Sequence, residues 1–134
     1  MTYRELAERT IEAGNRFDLD ALEELATDDI VFDMSRSIGP ARGVYRGPDE
    51  VRDFFHSYTE AFESAIATPL NFYERGDWMA IEIRIRVRGR GSGVDVDAHG
   101  ARVYEFRDGK LARYVQFQDM DEAKAFVDAQ QKGV

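Results

Sequence analysis

The residue with the most chemistry to explain is Arg102. It sits on a stripe in which every second residue is Arg102, Tyr104 and Phe106. In an extended strand those three side chains share one face. An ionised side chain on a core-facing stripe is costly unless it is paired or a cavity is kept for it. A buried carboxylate such as Asp33 or Asp119 would make Arg102 a structural ion pair. A cavity would make it a group that meets a ligand.

Which residues lie beside Arg102 depends on the turn Phe106-Arg107-Asp108-Gly109-Lys110-Leu111. A two-residue Asp-Gly turn would bring Val115 and Phe117 there. A three-residue loop with Gly109 in the left-handed bulge position would bring Tyr114, Gln116 and Gln118 instead. The second arrangement makes a polar-lined cavity. It also gathers Trp78, Ala80, Ala101, Val103, Val115 and Phe117 on the opposite face.

The element that carries Arg102 is the middle of three strands. The first, residues 81–88, alternates apolar and charged without a break, as a strand with one buried face does. Gly91-Ser92 suits the central pair of a type II′ hairpin, where the first residue needs positive φ. Folding about that turn sets Val87 against Val96 and Ile85 against Ala98. On the other face it sets Arg88 against Asp95, Arg86 against Asp97 and Arg84 against His99. Both faces match at once, and a one-residue slip would destroy both matches. The arginine run is therefore a cross-strand ion-pair ladder rather than a nucleic-acid patch. Gly89, Gly91 and Gly93 precede no helix and make no phosphate loop.

At 134 residues the chain suits one domain with a real core, residues 1–134. A net charge of −8 argues against a nucleic-acid partner. The absence of cysteine removes disulfides, thiolate metal sites and a cysteine nucleophile. His56 and His99 have no metal-ligand spacing, so neither a metal nor a cofactor is expected. No apolar signal region or membrane span is visible, which predicts a cytoplasmic protein without a membrane partner.

The remaining elements follow from periodicity and punctuation. Residues 2–16 form an amphipathic helix, and Asp18 caps a short second one through Leu25. Asp28-Asp29 reads as a turn before a strand at 30–34. A loop at 35–42 precedes a brief strand at 43–46. Gly47-Pro48-Asp49-Glu50 starts a helix that is predicted to run to residue 67, ahead of Pro69. Its stripe includes Phe54, Phe55, Tyr58 and Phe62, core residues first and pocket wall second. A strand at 70–74 leads into the meander, and 121–130 is a closing helix. The class is α+β, a bent antiparallel sheet with helices packed in its concavity.

Several short motifs occur in a fixed order: Asp33-Met34-Ser35-Arg36, Gly43-Val44-Tyr45-Arg46-Gly47, Gly91-Ser92-Gly93-Val94 and Phe106-Arg107-Asp108-Gly109-Lys110-Leu111. In these the chain resembles the SnoaL-like polyketide cyclases of the nuclear transport factor 2-like superfamily. The resemblance implies a conical barrel, or cystatin-like roll, around one apolar pocket, and it favours the bulged second turn. It implies a small apolar or carbonyl-containing metabolite as partner. It also implies cofactor-independent cyclase, isomerase or hydratase-type lyase chemistry. The alternative is a binding or dimerisation module without catalysis, because one fold hosts many functions.

Ketosteroid isomerases of that superfamily need a tyrosine, a carboxylate base and a protonated Asp at three positions. Here those positions hold Thr10, Met34 and Arg102, so that activity is not expected. The nearest carboxylate, Asp33, is one residue off, and alternation points it away. The cyclase-like members carry an acid/base Asp just past the last strand, which here is Asp119. Beside Arg102 and Tyr114 it would move a proton at a carbon next to a carbonyl, while Arg102 would hold an enolate or carboxylate. Asp119-Met120-Asp121-Glu122 is equally a helix cap. The expected site is Asp119 and Arg102 for catalysis, with Tyr104, Tyr114, Gln116, Phe54, Tyr58 and Asp33 for binding. The apolar outer face, with no helix left to cover it, predicts a homodimer.

Overall fold

The computed structural model describes residues 1–37, 42–91 and 93–131. Among these, four helices pack on one six-stranded sheet. Helix α1 (Tyr3–Asn15) opens with a capping box, Thr2 and Glu5 each satisfying the other's backbone. Its buried face carries Leu6, Ala7, Thr10 and Ile11. Asp18 caps α2 (Leu19–Leu25) by accepting from the Ala21 N–H.

Strand β1 (Ala26–Asp33) starts earlier than its alternation suggests. Asp28 and Asp29 fall inside it, at an irregularity in its pairing. Asp29 faces solvent and pairs with Arg107. The loop after β1 contains residues 38–41, which lie outside the described residues. Strand β2 (Val44–Arg46) then pairs antiparallel with β1.

Helix α3 (Gly47–Ala61) is shorter than predicted, and β3 (Phe62–Arg75) follows at once. Phe62 and Ala65 therefore belong to a strand, not to the helix stripe. The cause is tertiary: β3 pairs along its length with β4 (Trp78–Gly89). Its other edge is clamped by Asn15, whose amide donates to the Ala67 carbonyl and accepts the Ala67 N–H, both at 2.9 Å. Pro69 sits next to a register shift on this edge strand, where a missing N–H is tolerated.

Strand β5 (Asp95–Arg107) pairs with β4 in the predicted register, Val87 with Val96 and Arg88 with Asp95. Gly91 has φ +78°, while Ser92 lies outside the described residues. Arg88 reaches Asp95 at 3.2 Å. The Asp97 carboxylate takes the diagonal Arg84, whose Nε donates at 2.9 Å, rather than Arg86 opposite. These pairs are solvent-exposed and contribute little.

The turn into β6 (Lys110–Phe117) differs from both options read in the sequence. Asp108 and Gly109 both have positive φ, the mark of a two-residue type I′ turn, and Arg107 pairs with Lys110. The bulge comes later. Phe106 pairs with Leu111 but Glu105 pairs with Arg113, so Ala112 is the extra residue. Beyond it Tyr104 faces Tyr114 and Arg102 faces Gln116. The side chains expected from a bulged loop thus reach Arg102 by a bulge inside the strand.

The sheet order is β2-β1-β6-β5-β4-β3. The β1–β6 pair is parallel and the others antiparallel. One core lies between α1, α3 and the inner face of the sheet. A second lies on the outer face, where Ala80, Ala101, Val103, Val115 and Phe117 pack against Ala123 and Val127 of α4 (Met120–Ala129). This corrects the premise of the expected dimer. The apolar patch exists, but the chain's own last helix covers it. Among the described residues no helix is long and apolar enough to cross a membrane.

Val127 is 0% exposed against the sheet. Val127→Asp should therefore lower unfolding free energy by at least about 3 kcal/mol, because it buries an unpaired charge. Urea unfolding followed by circular dichroism checks this. An unmoved midpoint would mean that α4 does not hold this seat in solution.

Candidate functional site

The inner face of the sheet, α1 and α3 enclose a cavity of about 230 Å³. That exceeds the roughly 150 Å³ cavity known to admit benzene, so a compact molecule fits. Its walls are mostly apolar. Phe54, Phe55 and Tyr58 come from α3, Phe32 from β1, Ile85 from β4, and Ile11 with Gly14 from α1. Ring contacts lock these walls. Phe32 packs 4.9 Å from Tyr114, and Phe54 lies 5.6 Å from Tyr58.

Polar groups enter from β5 and β6. Arg102, Tyr104, Tyr114 and Gln116 all line the cavity, because the Ala112 bulge keeps both strands in phase. The Arg102 Nη1 donates to the Tyr104 hydroxyl at 3.2 Å. Its guanidinium carbon lies 4.7 Å from the centre of the Tyr114 ring, a cation–π contact. The Nε is sealed from solvent and has no hydrogen-bond partner among the described residues. Tyr114 donates to the Gln116 Oε1 at 2.8 Å, and the Gln116 amide donates to the Phe117 carbonyl at 3.3 Å.

Protonation states follow from burial. Burial pushes the Tyr114 phenol above its ordinary pKa, with Arg102 opposing only in part. Burial raises Tyr58 in the same way. Both are neutral phenols at pH 7. For Arg102 burial works against the charge, and the Tyr104 hydroxyl that accepts from it favours the charge. The group is a permanent cation.

Two of the expected site residues lie elsewhere. Asp119 does not line the cavity. It is the N-cap of α4, its carboxylate accepting the Glu122 N–H at 2.8 Å. Asp33 is absent from the wall as well. It pairs in register with Val115, which faces α4, whereas its neighbour Phe32 pairs with Tyr114. Burial works against the Asp33 carboxylate, but Ser35 and Arg36 outweigh this and hold its pKa below the usual range. The Ser35 N–H donates to it at 3.0 Å. Gln118, placed beside Arg102 by the bulged option, instead donates to the Arg36 carbonyl.

Phe32 and Asn15 are among the wall residues not identified from the sequence. Phe32 was findable, since Ile30, Phe32 and Met34 alternate and are all buried. Asn15 carried no signal, because an asparagine ending a helix resembles a cap and its strand partner is remote in sequence.

The sequence matches the family model described as a SnoaL-like domain over residues 7–114. The chain belongs to the SnoaL-like family. No curated protein matches the sequence. Among solved structures, a Shewanella denitrificans protein described as SnoaL-like shares 18% identity, covering 96% of this chain and 97% of that one, with a TM-score of 0.74. TerC, co-crystallised with polyporic acid, shares 16% identity over 92% of this chain and 96% of its own, with a TM-score of 0.74. A Mycobacterium tuberculosis protein in complex with estradiol-17beta-hemisuccinate shares 17% identity over 87% and 92%, with a TM-score of 0.72. At these identities the likeness is one of fold.

In this SnoaL-like domain Thr10, Met34 and Arg102 all line the cavity. The three residues that the resemblance set against the ketosteroid isomerase positions thus lie on one wall. The Thr10 hydroxyl is spent on the Leu6 carbonyl at 2.8 Å.

Asp119→Ala should cost about 1 kcal/mol through loss of the cap and leave affinity for cavity ligands unchanged. Thermal denaturation and ligand titration at a temperature where both proteins are folded measure the two effects. A tenfold loss of affinity with unchanged stability would return Asp119 to the site.

Proposed function

We propose that this SnoaL-like domain is a small-molecule binding protein whose ligand occupies the inner cavity. The observation that carries this is the composition of the wall. Among its described residues Arg102 is the single ionic group, and no carboxylate, imidazole or amine accompanies it. Proton transfer at a carbon needs a base of suitable pKa within reach of that carbon. Both candidates for that work, Asp119 and Asp33, are engaged outside the wall. Neutral, buried phenols are poor bases. Cyclase, isomerase or lyase chemistry therefore lacks its base, whereas binding needs only shape and a few polar anchors.

The neighbours of similar fold support the reading, since two of them were crystallised with small organic molecules. The apolar wall and the cavity of about 230 Å³ favour a compact, largely apolar ligand.

Native mass spectrometry of the purified protein should reveal a bound small molecule, or a compact-compound library should raise its melting temperature. Gly14 supplies a control. It lines the cavity, and a Cβ there would meet no heavy atom within 4 Å. Gly14→Leu should fill the space and reduce binding at least roughly tenfold. Stability should hold or rise by up to about 1 kcal/mol, because glycine is a poor helix residue. Wild-type protein that carries nothing and shifts with no compound would sink the reading.

A further inference from the structure

We infer that the ligand is an anion: a compact apolar molecule with one acidic oxygen group, a carboxylate or an acidic enol, held by Arg102. This inference rests on the binding reading above and adds the charge and the anchor. A guanidinium has five N–H donors in a planar fork. In Arg102 the one hydrogen bond made among the described residues goes to a phenol hydroxyl, that of Tyr104. Among the described residues the Nε is buried without a partner, and no carboxylate pairs with the group.

Burying a cation without a counter-charge is among the more costly arrangements in a protein. Candidate counter-ions within the chain are engaged elsewhere. Asp33 is held by Ser35 and Arg36, and Asp119 by the Glu122 N–H. The environment fixes the fork instead of neutralising it. The Tyr114 ring lies against the guanidinium, and Tyr114 is itself tied to Gln116. Because the Tyr104 oxygen accepts from Arg102, its own hydrogen remains available to a ligand oxygen. Tyr58 lines the same cavity as a second neutral phenol. A planar oxyanion can accept from a guanidinium and a phenol together. The rest of the wall is apolar, which sets the rest of the ligand.

The test uses two matched pairs on the full chain, naphthoate against naphthamide and hydroxynaphthoquinone against its methyl ether. Affinities are measured by isothermal titration. A net charge-assisted hydrogen bond corresponds to a preference of roughly tenfold or more for the anion. Preference in the first pair identifies a carboxylate site, and in the second an enol site. Arg102→Met should erase the preference while keeping affinity for the neutral member, and its urea midpoint should hold or rise. Arg102→Lys covers the case in which Met at this position does not fold. It keeps the charge without the fork and should lower the preference by roughly threefold or more. Equal affinities within both pairs would overturn the anion anchor while leaving the pocket intact. A preference that survives Arg102→Met or Arg102→Lys unchanged would overturn it too, as would a lowered midpoint in Arg102→Met, which marks a structural arginine. If no member of either pair binds, the anion anchor fails for both oxygen groups, and the binding reading is decided by the native mass spectrometry and library screen above.

Discussion

Strand side chains alternate between two faces, so a single inserted residue exchanges the faces of everything beyond it. In this molecule that residue is Ala112. Before the bulge, the tight Asp108-Gly109 turn pairs Phe106 with Leu111. Beyond it, Tyr114 and Gln116 enter the cavity beside Arg102, while Val115 and Phe117 turn outward. Without the shift, two large apolar side chains would fill the space around the guanidinium. The seat of α4 would at the same time become polar. One bulge therefore sets both cores of the domain.

The outer core shows the other side of this constraint. Val103 and Val115 are completely buried there, although no N-terminal helix reaches them. The closing helix lies across the sheet and supplies Ala123 and Val127. Small residues on the sheet, Ala80 and Ala101, allow that close approach. Asp119 caps the same helix just after β6 ends. A carboxylate that resembles a catalytic group by position thus begins the element that seals the far face.

Inside, the cavity is bounded by α1, α3 and the curved sheet, and β3 completes it. The Asn15 amide pairs with both polar groups of Ala67, as a neighbouring strand would. An edge strand is joined to a helix in this way, with its backbone satisfied. Arg102 is the group that this enclosure does not satisfy. A guanidinium keeps its charge in proteins, and among the described residues the hydrogen bond of Arg102 goes to a phenol hydroxyl.

Much of this was legible in the chain. The unbroken alternation of residues 81–88 and the charge match across Gly91 determined the β4–β5 register, because both faces constrain it at once. The Asp18 cap and a first-turn proline located the starts of α2 and α3. Arg102, Tyr104, Tyr114 and Gln116 were placed together once a bulge was assumed, although the sequence could not say where it lies and added Asp119 and Asp33, which stand outside the wall. Tight turn and strand bulge obey the same local rules, and the choice shows only in the pairing of β6 with β5. The end of α3 was not legible, because Phe62 to Ala67 suits either period until β4 offers it an edge. Nor was the cover on the outer face, since a ten-residue amphipathic helix says which of its faces is apolar but not which surface it meets. Local sequence determines periodicity and punctuation; the partner of each apolar face is a long-range contact, and only the folded chain decides it.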